Sequence, residues 1–228
     1  MKTTFLVRFL AYFFIIVGFL ALVFEFGPVA QTEFTYRYNK FFQVRYVIQP
    51  VVGDITQTQP PPSDTGGVGF GQLGAPTEKI IQPVSTEYGI VIEKINANAK
   101  VVPDIDVGNE KEYVKALQTG VAEAKGSTKP GENGNLFIFS HSADAPWNIV
   151  RFNAIFYLLR ELNPGDRVIV FYQGRRYDYE VFDKNITDPK DISYLVNRYD
   201  KPVLTLQTCD PPGTLSRRLI VRAKLMGS

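Results

Sequence analysis

The sequence predicts a mainly β domain, a closed or nearly closed barrel with short helices, held behind a single N-terminal membrane helix. After Tyr88, short apolar runs recur at even spacing with turn residues between them, as in an all-β or β-rich domain. Gln173-Gly174 stands between two such runs as a hairpin turn, and the even spacing favours a barrel over parallel strand–helix–strand units. The stretch from Phe5 to Phe26 is almost wholly apolar, broken only by Arg8 near its start and Glu25 near its end.

A chain of 228 residues can bury one sizeable core once a membrane segment and a linker are subtracted. Its formal charge of +2 is too small to recruit nucleic acid. The chain has 1 cysteine and 1 histidine, so neither an intramolecular disulfide nor a structural zinc site can form. Cys209 must be judged as a lone thiol, and a lone thiol is by default a small buried hydrophobe.

As a helix, Phe5 to Phe26 spans roughly 33 Å, enough to cross a bilayer. Pro28-Val29-Ala30 makes a poor cleavage site, so residues 1–30 are read as an uncleaved anchor rather than a signal peptide. Lys2 and Arg8 on one side are offset by Arg37, Lys40 and Arg45 on the other, so basic residues do not fix the orientation. Residues 31–48 form a juxtamembrane segment that alternates aromatic and polar side chains, among them Phe34, Tyr38, Phe41 and Phe42. It suits either an interfacial aromatic belt or a continuation of the anchor helix. Residues 49–78, with Pro60-Pro61-Pro62 and Gly66-Gly67, hold too few bulky apolar groups to offset the entropy of ordering. They read as a linker whose reach of roughly 30 Å lifts the next domain off the membrane.

The folded domain occupies residues 79–228. Its candidate strands are Ile90–Ile95, Lys100–Val102, Asn135–Ser140, Arg167–Tyr172, Arg176–Asp183, Val203–Thr208 and Arg217–Leu225. Asn109 is placed to cap a short amphipathic helix carrying Tyr113, Val114 and Leu117. Phe152, Ile155, Phe156, Leu159 and Leu162 recur at helical spacing and read as a helix packed on the barrel, ended by Asn163-Pro164-Gly165-Asp166.

Two rare residues share one kind of address. Val203 to Thr208 runs straight into Cys209, and Asp210-Pro211-Pro212-Gly213 cannot continue a ladder. Alternation puts Leu204 and Leu206 on one face and Thr205, Gln207 and Cys209 on the other, more polar one. His141 likewise ends the apolar run Leu136 to Ser140. A neighbouring imidazole supplies the base or the charge that turns a thiol into a nucleophile. Acyl transfer also needs cationic or hydrogen-bonding support for its oxyanion, and Arg217-Arg218 opens the strand after the Cys209 loop. Leu219, Val221, Ala223 and Leu225 form that strand's apolar face, which leaves Arg218 with Arg222 on the polar one. Arg218 is therefore preferred, with Arg217 as the second choice. Thr208, immediately before the thiol, and Trp147, close after His141, are the candidates for substrate contact. Trp147 and Pro146 equally suit fixing the loop.

Thr205-Leu206-Gln207-Thr208-Cys209, followed by Pro211, Gly213, Arg218 and Val221, resembles the signature of the sortase family around its nucleophile. Upstream, Tyr113, Gly120-Val121-Ala122, Pro130-Gly131-Glu132 and Gly134-Asn135 before the strand into His141 resemble the same family. The resemblance runs from about Gly89 to Leu225. It implies an eight-stranded sortase-type β-barrel with Cys209 as nucleophile, His141 as general acid and Arg218 as oxyanion or substrate stabiliser. It further implies a transpeptidase that cleaves a Leu-Pro-x-Thr-Gly-like C-terminal sorting signal after Thr through a thioester. The expected partners are secreted proteins bearing that signal and an amine on a cell-wall precursor or surface protein. The resemblance places the domain outside the cytoplasm on a single-pass anchor and requires no cofactor, although calcium modulates some members.

This chain has Glu123 where many relatives carry a histidine, and Ser140 rather than Gly before His141. The Asp-Pro-aromatic lid motif of the pilin-building subgroup does not appear, which favours housekeeping anchoring or a divergent subgroup over pilus polymerisation. The alternatives to a transpeptidase are a hydrolytic cysteine peptidase and a membrane-tethered binding module on the same fold.

Overall fold

The computed structural model describes residues 2–48, 78–142 and 155–227. The expectations for residues 49–77 and for Pro146, Trp147 and Phe152 lie outside the described residues.

Helix α1 (Lys2–Phe41) runs for 40 residues, about 60 Å at the usual rise. Its segment Leu6–Phe24 has a mean hydropathy of 2.5 and is nowhere buried, and among the described residues it is the one stretch long and apolar enough to cross a membrane. Of the two expectations for residues 31–48, the helical continuation is the one seen, as far as Phe41. The chain then forms β1 (Arg45–Ile48), which pairs in parallel with β2 (Glu78–Ile81), Ile48 opposite Ile81. Ile48 and Ile81 are buried against Val91, Ile169 and Phe171 of the barrel wall. Because β1 is fastened beside β2, the linker's reach does not set the distance between α1 and the barrel. Neither strand was legible in the sequence, since each has four residues, too few for an alternation to register.

The barrel is built from β3 (Tyr88–Ile92), β4 (Ala97–Ile105), β5 (Val121–Ala124), β6 (Gly134–Phe139), β7 (Arg167–Tyr172), β8 (Arg175–Thr187), β9 (Pro202–Asp210) and β10 (Arg217–Leu225). Around the closed wall the order is β10-β8-β7-β3-β4-β5-β6-β9. The pairs β4–β5 and β6–β9 are parallel and the rest antiparallel. Inward-facing Ile90, Val121, Leu136, Ile138, Val170, Leu204 and Val221 fill the lumen, each on the alternate positions that a half-buried strand requires. Gln173 and Gly174 turn β7 into β8 with φ of 50° and 74°, the left-handed pair that matches the twist of a two-residue hairpin.

Asn109 caps α2 (Glu110–Leu117) as expected, its side chain accepting from the Glu112 amide. The predicted helix ending at Leu162 is shorter in its described part: turns from Ile155 lead into a 3-10 turn, Leu159–Glu161. Phe156, Leu158, Leu159 and Leu162 all enter the core. Lys184 of β8 donates to the carbonyls of Arg160 and Leu162 at 2.8 and 2.6 Å, capping the end that Asn163-Pro164 cuts short.

Glu123 faces the same way as Val121, into the barrel, and is 1% exposed. A carboxylate there needs donors. The Tyr88 hydroxyl donates to one oxygen and Lys129 approaches the other at 2.7 Å. Burial, and then Glu123, push the Tyr88 phenol well above its ordinary range. Burial works against the charge on Lys129, but Glu123 outweighs it and holds the ammonium above the usual lysine value. The trio fastens the β5–β6 connection across the barrel. Removing one partner of a buried charge costs several kcal/mol, and less here because Lys129 is partly exposed. Lys129→Met should therefore lower stability by about 2 kcal/mol in chemical denaturation, and an unchanged midpoint would show that Glu123 does not depend on it.

Candidate active site

The parallel register of β6 and β9 aligns Leu136 with Leu204, Phe137 with Thr205 and Phe139 with Gln207. One step further the Ser140 amide donates to the Gln207 carbonyl at 3.1 Å, and the Thr208 hydroxyl donates to the Ser140 carbonyl at 2.9 Å. Two residues beyond the Phe139–Gln207 pair stand His141 and Cys209. On the other side of β9, Cys209 lies directly opposite Arg218 of β10. Leu204, Leu206, Leu219 and Val221 belong to the lumen, so Cys209 and Arg218 occupy the outward positions of their strands. The three residues that the sequence nominated thus come from three adjacent strands at one level of the wall. Cys209 and His141 are both half-buried.

Arg218 is half-buried, and its Nη1 donates to the carbonyls of Leu215 and Arg217 at 3.2 and 3.1 Å. Its guanidinium is therefore folded onto the turn between β9 and β10, beside the thiol's strand. Arg217, the second choice, is engaged differently: it pairs with Asp210 at 2.8 Å and closes the base of the same turn.

Thr208, proposed from sequence to touch substrate, does not face outward with Cys209. It is 3% exposed, and its hydroxyl is committed to the Ser140 carbonyl. Its parity is that of Leu206, inward, so it acts as a strut that fixes the residue before His141. Trp147 lies outside the described residues.

Several residues that shape the site were not singled out in the sequence. Asn135 accepts from Thr205 at 2.7 Å and donates to the Tyr194 carbonyl at 2.8 Å, drawing α3 (Ser193–Val196) over the lower part of the β6–β9 face. Arg222 bonds Asp183 through Nε at 2.8 Å and reaches the Tyr199 hydroxyl at 3.2 Å, with the Tyr194 and Phe182 rings beside its guanidinium. Burial lowers the affinity of Arg222 for its proton, but the bonds from Tyr199 and Asp183 outweigh it and hold the charge. The segment between β8 and β9 is thereby clamped against the outer face, on the side of the wall where Cys209 and Arg218 stand. The available signal was parity: Asn135 and Thr205 are polar residues at outward positions of otherwise apolar strands. Among the described residues no three His, Cys, Asp or Glu side chains gather to hold a metal ion.

The model of the sortase domain matches residues 90–226. The chain belongs to the sortase family. Among solved structures, the Sortase D5 transpeptidase of Clostridium perfringens is 26% identical with a TM-score of 0.51, the match covering 64% of this chain and 82% of that one. Sortase A of Corynebacterium diphtheriae, a lid mutant, is 28% identical with a TM-score of 0.52, covering 63% and 72%. Sortase C-1 of Actinomyces oris, at 24% identity and a TM-score of 0.53 over 64% and 77%, shares the fold. No curated protein matches the chain. Membership makes the chain an enzyme of the transpeptidase class, and the eight-stranded closed barrel is the sortase fold.

The Thr208 strut has a measurable role. Thr208→Val keeps the shape but drops the hydroxyl, and should cost about 1 kcal/mol of stability. If that loss falls on the alignment of His141, kcat drops about fivefold with KM little changed. A rise in KM alone would return Thr208 to substrate contact.

Proposed function

We propose that this sortase cleaves a Leu-Pro-x-Thr-Gly-like sorting signal between Thr and Gly and transfers the new Thr carbonyl to an amine on a cell-wall precursor or surface protein. The observation that carries this reading is the register across β6, β9 and β10, which sets Cys209 beside Arg218 and two residues past the Phe139–Gln207 pair that leads to His141.

In this reading the Cys209 thiolate attacks the Thr carbonyl carbon, forming the C–S bond and an oxyanion. Protonated His141 gives its proton to the Gly nitrogen as the C–N bond breaks, leaving a thioester. Arg218 turns from the Leu215 and Arg217 carbonyls toward the oxyanion; those bonds to neutral carbonyls are weaker than one to a full negative charge. The acceptor amine then attacks the thioester, its proton passes to His141, and the thiolate is released. Ile192, Val196 and Leu215 stand exposed on the two connections that flank β9, supplying apolar contact for the Leu and Pro of the signal. The sorting signal reaches the site on a protein held in the same membrane, and the anchor of this chain is α1, with the barrel outside the cytoplasm.

Two experiments test the reading. Incubation of the enzyme with a sorting-signal peptide and abundant amine should give mainly the amide; mainly free acid would make the enzyme a hydrolytic peptidase. Arg218→Ala should lower kcat by on the order of 10²-fold, the usual loss for a single oxyanion donor. Arg217→Ala removes a partner of the half-buried Asp210 but no donor to the oxyanion, and should lower kcat less than Arg218→Ala does. The reverse ranking in steady-state assays would move the oxyanion role to Arg217.

A further inference from the structure

The barrel has two distinguishable ends. At one, β3 stops at Ile92, β7 begins at Arg167, β8 stops at Thr187 and β10 begins at Arg217. Cys209 and Arg218 lie at this end, and so does His141, just past the last residue of β6. At the other end lie the Gln173-Gly174 turn and the first residues of β6 and β9, Gly134 and Pro202.

Helix α1 and the polar contacts of β1 meet the barrel at the first of these ends, while the apolar contacts of β1 and β2 run along the wall as far as Phe171. Arg160 donates to Glu33 at 3.0 Å and Tyr36 to Glu161 at 3.1 Å, both from the segment that leads into β7. The Ile48 amide donates to Glu93 at 3.1 Å, just past the end of β3. Asn39 bonds the Tyr46 hydroxyl at 2.9 Å, tying the helix to its own strand. Between them lies a cleft of about 860 Å³ whose barrel side is Glu93 to Asn96, Leu158 and Arg167, again all from this end. Burial and Glu161 raise the Tyr36 hydroxyl to about 12, as a docked phenol requires. On the N-terminal side of Glu33 the helix departs: Leu6–Phe24 is wholly exposed. The nine residues from Phe24 to Glu33 cover about 14 Å, so the first barrel contact comes about two headgroup layers from the hydrocarbon.

We propose that the docked α1 turns the end of the barrel that carries Cys209 toward the bilayer, so that Cys209 lies near the lipid headgroups rather than away from them. The partner of this end is the membrane surface itself, from which a membrane-held substrate presents its sorting signal. The inference rests on the reading of α1 as the anchor. It also explains how the site meets its substrate without a long tether: α1 and β1 are joined to the barrel by an ion pair, hydrogen bonds and a shared apolar cluster.

The natural chain has one cysteine, so Cys209→Ala gives a full-length background for single labels. Leu215→Cys marks the catalytic end and Gln173→Cys the opposite turn; Arg175 to Thr187 of β8, which links the two levels, runs about 40 Å along the strand. The full chain in phospholipid vesicles, with a donor dye on the cysteine and an acceptor dye on headgroups of both leaflets, should show at least about twofold greater transfer from position 215. Glu33→Arg with Tyr36→Phe should shrink that difference. Adding Arg160→Glu to Glu33→Arg should restore it relative to Glu33→Arg alone. Equal transfer from the two positions, or stronger transfer from 173, overturns the pose, as does a full difference that persists in the undocked variant. A chain that does not float with the vesicles overturns the anchor reading and the pose with it. Transpeptidation of a soluble peptide by the natural chain is measured separately and is untouched by either result.

Discussion

β6 and β9 lie side by side in parallel from Gly134 and Pro202 to Phe139 and Gln207, and the chemistry proposed for this sortase depends on that single alignment. A slip of one residue would turn Cys209 into the packed lumen and bring Leu204, Leu206 and Thr208 to the surface. The barrel guards against the slip from both faces. Inside, Leu136, Ile138, Leu204 and Leu206 are interlocked in the core. Outside, Thr205 bonds Asn135, and past the last pair Thr208 bonds the Ser140 carbonyl. β10 extends the same level to Arg218 through its antiparallel register.

The barrel ties its most costly group down in the same spirit. Glu123 is a carboxylate inside an apolar lumen, tolerable only because Tyr88 and Lys129 meet its two oxygens. The Asp183–Arg222–Tyr199 set does comparable work outside, holding the β8–β9 segment against the strands that carry the site. These polar clusters place loops, whereas the apolar core places strands. At the end of the barrel that carries Cys209, Glu33 and Tyr36 of α1 and the Ile48 amide of β1 extend the same bonding to Arg160, Glu161 and Glu93.

Much of this was legible from residues alone, for definite reasons. The unbroken apolar run of β7 and the alternation of β10 were long enough to be read, and their bounds agree with the sequence reading residue for residue, whereas of β4 only Lys100 to Val102 was read. Cys209 and Arg218 were found on polar positions of otherwise apolar strands, a signal that survives without coordinates. The four-residue strands β1, β2 and β5 were not read, because so few positions carry no period, and in β5 the inward Glu123 breaks the apolar pattern. The partners of Glu123 could not be read either: Tyr88 lies 35 positions away and is brought to it only by barrel closure. Thr208 was misjudged because nearness to the thiol in sequence says nothing about face, and a step of one residue along a strand reverses the side chain. The docking of α1 joins residues 127 and 125 positions apart, beyond any local pattern.

The central claim is that Cys209, placed by that register, forms the covalent intermediate. Intact-mass spectrometry of the full chain after brief exposure to a sorting-signal peptide measures this directly. The account predicts an added mass equal to the peptide up to and including Thr, attached at Cys209 and discharged by a nucleophilic amine. Turnover of the peptide with no such adduct, or with the adduct on any other residue, would contradict it.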